Sequence, residues 1–192
     1  MKRIIVGISG ATGPVLGLAV LEALKDTGEY ETHLVISDGA LKTWELECDI
    51  PISRLYDAAD EIHDSHNLAA SISSGSFETE GMIIAPCSMK TLAGIASGYT
   101  DNLLVRAADV CLKERRKVVL LTREMPLNHI QIRNMLEATD AGCVVLPPVL
   151  TFYNDANTVD KQIEHVVGKV LSQFSIDFSK FKPWEGVDEN LL

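Results

Sequence analysis

Several features common in small enzymes are missing from this chain, and each absence narrows its chemistry. Its four cysteines (Cys48, Cys87, Cys111 and Cys143) are scattered and form no Cys-x-x-Cys pair. They read as free cytosolic thiols rather than a disulfide framework or a zinc site. Five histidines (His33, His63, His66, His129, His165) show no His-x-x-x-His spacing, so no metal is expected. Nor is there an Asp-Asp-x-x-Asp cluster to hold magnesium on a diphosphate; Asp57-Ala-Ala-Asp60-Glu61 comes nearest and reads as a helix surface. Without a Gly-x-Ser-x-Gly elbow, no Ser/His/Asp triad can be argued. No apolar run approaches the ~20 residues that span a bilayer, and Met1-Lys2-Arg3 leads straight into a short strand rather than a signal peptide. The expectation is a cytoplasmic protein with no membrane partner. Basic residues are also few, 17 against 27 acidic for a net charge of −10. That disfavours nucleic acid, which needs a basic face, but leaves room for a small anion held by local cations.

The 192 residues, 46% apolar and 23% charged, are enough for one domain with a substantial core. Arg3 to Ile8 is a short β-branched run, as in a buried parallel strand. Ser9-Gly10-Ala11-Thr12-Gly13 follows, then an amphipathic helix from Val15 to about Gly28. Gly7-x-x-Gly10-x-x-Gly13 is neither the dinucleotide fingerprint nor a Walker loop, so a tight turn with or without a ligand is open. Thr32–Ile36 is a second strand, and Ser37-Asp38 starts a helix to about Cys48; an N-cap alone would explain Ser37. Residues 49–80 read as an irregular connection over the strand ends, with a short helix near Ala58–Ile62 and a turn-rich Ser71–Ser76. Gly81–Ala85 is a strand broken by Pro86, and Ser88 caps a helix over Met89–Ala96. The remaining elements are a helix at Asn102–Arg115, a strand at Lys117–Leu121, a helix at Leu127–Thr139, a strand at Cys143–Leu146 and a helix at Val159–Phe174. The fold class is α/β: a single-domain, three-layer α/β/α Rossmann-like (flavodoxin-like) arrangement with a mainly parallel sheet.

Ligands in such folds sit beyond the carboxyl ends of the strands. Those ends carry Ser9–Gly13, Ser37, Pro86–Thr91, Arg123-Glu124 and, after the last strand, Tyr153, all expected to converge on one crevice. The stretch from Ala85 to Pro126 is expected to hold half of an active site. Arg106, Asp109 and Lys113 share one helix face. They form either a solvated ion-pair ladder or two cations aimed at an anion, with Asp109 orienting one. Arg123 and Glu124 follow the apolar run Val118–Leu121 at a strand's end and are expected to be partly buried.

Ser9–Gly13, Ser73-Ser74-Gly75-Ser76, Pro86-Cys87-Ser88-Met89-Lys90-Thr91-Leu92, Asn102–Arg116, Arg123-Glu124-Met125-Pro126-Leu127 and Phe152-Tyr153 occur in an order and spacing that resembles the UbiX/Pad family of flavin prenyltransferases. The resemblance implies a flavin-binding domain over 1–175 with a C-terminal tail over 176–192. It implies a homododecamer that binds FMN between subunits and joins a dimethylallyl group from dimethylallyl phosphate to N5 and C6 of reduced FMN without a metal. The product, prenylated FMN, would serve a UbiD-type decarboxylase. Gly10, Ala11, Thr12, Ser37, Ser88, Met89, Lys90, Thr91 and Arg123 fall at flavin-binding positions. Arg106, Lys113, Glu124, Tyr153 and Lys169 fall around the prenyl phosphate, with Lys113 and Glu124 catalytic, and Glu47 matches an acidic residue of proton handling. Gln131 stands where many relatives have His, Arg133 where many have Glu, Leu68 near a Trp of some members, and Lys169 in place of an Arg. The alternatives are a flavin-dependent cysteine decarboxylase of the same superfamily, which usually needs an early-helix His absent from Asp38–Cys48, and a non-catalytic flavin carrier.

Overall fold

The computed structural model describes residues 1–186; residues 187–192 of the expected tail lie outside the described residues. The chain divides into two units, Met1–Pro148 and Val149–Leu192.

In the first unit, six strands form one all-parallel sheet: β1 (Lys2–Ile8), β2 (Tyr30–Ile36), β3 (Glu61–His63), β4 (Gly81–Cys87), β5 (Lys117–Thr122) and β6 (Cys143–Val145), in the spatial order β3-β2-β1-β4-β5-β6. Ile4, Ile5, Val6 and Ile8 are all buried, because both faces of the sheet are covered. Alternation sends successive side chains to opposite faces. Gly7 meets Met82 and Leu104 on one face, while Ile8 meets Gly17 on the other. The face of Ile5 and Gly7 packs under α5 (Leu103–Lys113), whose Leu103, Leu104, Ala107, Ala108 and Cys111 are buried with Met82, Ile84, Val118 and Leu120. The other face carries α1 (Val15–Thr27), which ends on Gly28 at φ 67°, a left-handed cap that glycine adopts without a Cβ clash. A Cβ on Gly17 would stand 2.6 Å from the Ala85 carbonyl oxygen, so α1 can lie directly on β4 only with glycine there.

Three expectations change. Residues 49–80 hold more structure than their composition suggests: α3 is Ile52–Asp57, β3 follows at Glu61–His63, and a 3-10 turn spans Ser71–Ser73. The helix expected near Ala58–Ile62 is therefore absent. Asp60, read as helix surface, instead accepts from the Thr32 amide (2.8 Å) and hydroxyl (2.9 Å) and ties this edge to β2. Finally, β4 continues through Pro86 to Cys87, with a register shift against β5 between Ile84 and Cys87.

Further helices of this unit are α2 (Asp38–Glu47), α4 (Met89–Ser97) and α6 (His129–Asp140). A capping box of Asn128 and Gln131 starts α6, so Gln131 serves its own helix. Only Ala138 of α6 is buried, and Ile130, Ile132 and Leu136 are more than half exposed. Arg133 also lies exposed on this helix. In the second unit, α7 (Val159–Ser172) starts from a Thr158 cap and buries Val166, Val167, Gly168, Val170 and Leu171. Gly168 accepts the Phe181 ring where a Cβ would clash. Among the described residues, no helix is long and apolar enough to cross a membrane.

Candidate active site

The strand order reverses between β1 and β4, whose following helices depart to opposite faces of the sheet. This is the switch point at which open parallel sheets leave a crevice. The turn after β1, the start of α2 and the start of α4 meet there. Gly10 lies against Gly39, with a Cβ at Gly10 placed 3.1 Å from the Gly39 Cα. The Ser37 amide bonds to the Ile8 carbonyl at 3.0 Å. Glu47, at the end of α2, reaches back so that its carboxylate accepts the Gly13 amide at 2.9 Å. Ser37 and Ser88 cap α2 and α4 by accepting the Ala40 and Thr91 amides. Among the described residues, the amides of Gly10, Gly39, Met89 and Lys90 find no acceptor.

A cluster of unpaired amides at two helix starts and a glycine turn is chemically suited to an acceptor-rich or anionic ligand. At the Gly10–Gly39 approach a Cβ would fit only if the Gly39 backbone gave way by a few tenths of an ångström. These residues fit the phosphate and ring edges of FMN. They offer no reactive thiol: burial pushes the Cys87 thiol far up, and Cys111 and Cys143 to about 11, so all three stay protonated. Among the described residues no group of three or more His, Cys, Asp or Glu is arranged for a metal.

Other predicted residues sit around or away from this crevice. The Arg123 amide bonds to the Cys87 carbonyl at 3.1 Å, which brings the Arg123-Glu124 pair to the same carboxyl edge. Both side chains are exposed, contrary to the partial burial expected of them. The Glu124 carboxylate bonds the Met125 amide, 2.9 Å away, instead of Arg123. Lys90 is 80% exposed and faces Asp101 at 3.3 Å. On α5, Arg106 donates to Asp109 at 2.7 Å, as the spacing suggests. Lys113 does not complete that ladder. It pairs with Glu114 beside Gly75, about 10 Å further down the helix than Arg106. There Arg116 donates to the Gly75 and Phe77 carbonyls, each at 2.7 Å. Because α5 descends from the carboxyl edge to the start of β5, Lys113 and this serine-rich loop lie at the amino edge, opposite the crevice. Leu68 is half exposed in the segment after β3.

The second unit holds Tyr153 and Lys169. The Tyr153 ring is met edge-on by His165 and by Trp184, with centroids 5.7 and 5.4 Å apart, and Asn154 bonds His165 at 2.8 Å. Lys169 is exposed on α7.

Residues 1–175 match the family model named Flavoprotein. The flavin prenyltransferase UbiX of Escherichia coli (strain K12) is 50% identical over 188 residues, 97% of this chain and 100% of that protein. The chain belongs to the UbiX flavin prenyltransferase family. Solved structures agree with that membership. AnUbiX in complex with FMN and dimethylallyl pyrophosphate superposes with a TM-score of 0.94 at 48% identity, covering 97% of this chain and 99% of that one. A dodecameric FMN-dependent UbiX-like decarboxylase from Escherichia coli O157:H7 also gives 0.94, at 50% identity over 96% of this chain and 100% of that one. The fold is the α/β flavodoxin-like one of these proteins, with every strand parallel.

Sequence reasoning named Glu47 and placed Ser9 at a strand end, but not the bonds that each makes here. The Glu47 bond to Gly13 joins residues 34 apart, and no local pattern announces it. Ser9 was read as part of a turn, yet it is buried at the switch point. A small polar residue directly after an apolar strand was its one visible signal.

Proposed function

We propose that this protein transfers a dimethylallyl group from dimethylallyl phosphate to N5 and C6 of reduced FMN. The prenylated FMN formed would serve a UbiD-type decarboxylase. The observation that carries the reading is the amide-lined crevice at the β1/β4 switch point with Arg123-Glu124 on its rim, in a chain half identical to a UbiX flavin prenyltransferase. Reduced FMN, when bound, supplies the electron-rich ring positions that take the prenyl carbons. The chain's part is positioning and charge. Gly10, Ala11, Thr12, Ser37, Ser88, Met89, Lys90, Thr91 and Arg123 hold the flavin. Arg106, Lys113 and Lys169 place positive charge on the departing phosphate, and the Tyr153 hydroxyl donates to it, so ionisation needs no metal. Glu124 accepts the proton released on ring closure, and Glu47 is a second acceptor for it.

Arg123-Glu124 and Lys113 lie at opposite edges of one sheet, roughly 20 Å apart for strands of this length. One copy therefore does not bring both to one substrate, and a neighbouring copy supplies Lys113. The exposed Ile130, Ile132 and Leu136 of α6 suit such burial between copies, and the closed assembly proposed is a dodecamer. The deciding experiment is anaerobic incubation with reduced FMN and dimethylallyl phosphate, followed by mass spectrometry of the flavin. A flavin heavier by one prenyl unit is expected; recovery of unmodified FMN alone would overturn the reading.

A further inference from the structure

Ser9 has been given no role in binding or chemistry, yet it occupies the point where the two halves of the crevice join. It is 1% exposed. Its Oγ donates to the Pro86 carbonyl at 2.9 Å and accepts the Ser88 amide at 2.7 Å. The Ser9 amide donates to the same Pro86 carbonyl at 3.2 Å. The β1–β4 ladder pairs residues as far as Gly7 opposite Ile84. Beyond that pair, these three bonds hold the strands together.

Each partner belongs to a segment next to the crevice. On one side Ser9 is followed by Gly10, whose amide is unpaired and which lies tightly against the Gly39 backbone. On the other, Ser88 caps α4 through Thr91 at 3.3 Å and precedes the unpaired Met89 and Lys90 amides. A shift of Ser88 would thus carry the whole helix start with it. We infer that Ser9 is a positioning residue whose hydroxyl fixes the separation between the Gly10–Gly13 turn and the start of α4, and with it the width of the flavin crevice. This rests on the flavin-binding reading above. Alanine would leave the partly buried Ser88 amide without its acceptor and the buried Pro86 carbonyl with one donor fewer. Threonine keeps the hydroxyl.

The test compares the full-length unaltered chain with Ser9→Ala and Ser9→Thr. FMN affinity is read by quenching of flavin fluorescence. Donor KM is read at saturating FMN with dimethylallyl phosphate. Ser9→Ala should weaken FMN binding about tenfold, as expected when a partly buried amide loses its acceptor. Ser9→Thr should restore most of it, and both should leave the donor KM within about twofold. A merely structural serine would lower the melting temperature without separating the two constants. Ser9→Ala binding FMN as well as the unaltered chain, or Ser9→Thr failing as badly as alanine, would overturn the inference. Should Ser9→Ala not fold, amide hydrogen exchange on the unaltered chain decides. Ser88 is expected to be protected like the amides of β4, and exchange at an open-loop rate overturns the staple. Failure of the unaltered chain itself to bind FMN would instead count against the flavin reading, and the exchange result would still stand on its own.

Discussion

At the carboxyl edge of the sheet, Ser9, Ser37, Ser88 and Glu47 are tied into backbone bonds and leave neutral amides facing the crevice. The amino edge is built from charge: Lys113 with Glu114, and Arg116 clamping the loop at Gly75 and Phe77. The first arrangement is rigid and directional, which suits a planar ring and a phosphate that must sit in one orientation. The second supplies point charges on long side chains, which suits an anion that leaves. Arg106 stands between them, half-exposed and oriented by Asp109. On the proposed function, the two edges would be complementary half-sites that meet only between copies.

The strongest way to break this comparison is to disable each half in a separate chain. Glu124→Gln and Lys113→Ala should each lower prenyl transfer at least about 100-fold, the usual scale for losing a general base or a charge on a leaving group. Dissociating and reassembling the two variants together should return roughly a quarter of the unaltered rate, because random mixing rebuilds intact sites between copies. Steady-state rates of the mixture measure this, and no recovery would place both residues in one copy's site. Next in size, Arg106→Met should raise the donor KM about 10–100-fold through loss of a charge-assisted contact. Asp109→Asn should raise it only about threefold, because the guanidinium remains but is less well aimed. FMN affinity should be unchanged in both.

A smaller effect is expected from crowding the carboxyl edge. In Gly10→Val the new side chain would press on the Gly39 backbone, which cannot rotate away. FMN affinity should fall about tenfold, with about 1–3 kcal/mol of stability lost as in other overpacked sites, readable by fluorescence titration and thermal melts. The smallest effect concerns pH at the far edge of the sheet. His33 and His63 are stacked with Nδ1 and Nε2 3.0 Å apart. Burial lowers the pKa of His33, against Glu31 and Glu61, with Arg3 adding to the lowering. Burial and then His33 lower that of His63, against Glu61. Both folded pKa values lie below the unfolded value of about 6.5, so between them the unfolded chain binds more protons. Stability is therefore full above about pH 6.5 and falls as pH drops below it. Melting temperatures between about pH 7.5 and 5.5 should decline, less steeply in His63→Gln.

Much of this architecture was legible because the signals were local. Apolar runs marked five of the strands, and Gly28, Ser37 and Ser88 marked helix ends by chemistry that operates within one turn. The three-residue β3 gave no such signal. Glu61-Ile62-His63 has one apolar residue between two polar ones, and it is held at the sheet edge by pairing with His33–Val35 and by Asp60 on Thr32. Those bonds join positions 28 or more apart. Arg123-Glu124 shows the opposite error: after an apolar strand it reads as partly buried, yet the strand ends at Thr122 and the pair emerges exposed.

By itself the sequence determined the alternation of strand and helix, the small residues at the strand ends, the cations spaced along α5 and the family to which their order belongs. These depend on periodicity and on neighbours within a turn, which are written along the chain. Tertiary structure alone decided that Ser9 would bind Pro86 and Ser88, that Glu47 would hold Gly13, and that Lys113 would end opposite the crevice beside Gly75. Each of these follows from how the parallel sheet brings distant segments to one edge or the other, and chain spacing does not encode that distance.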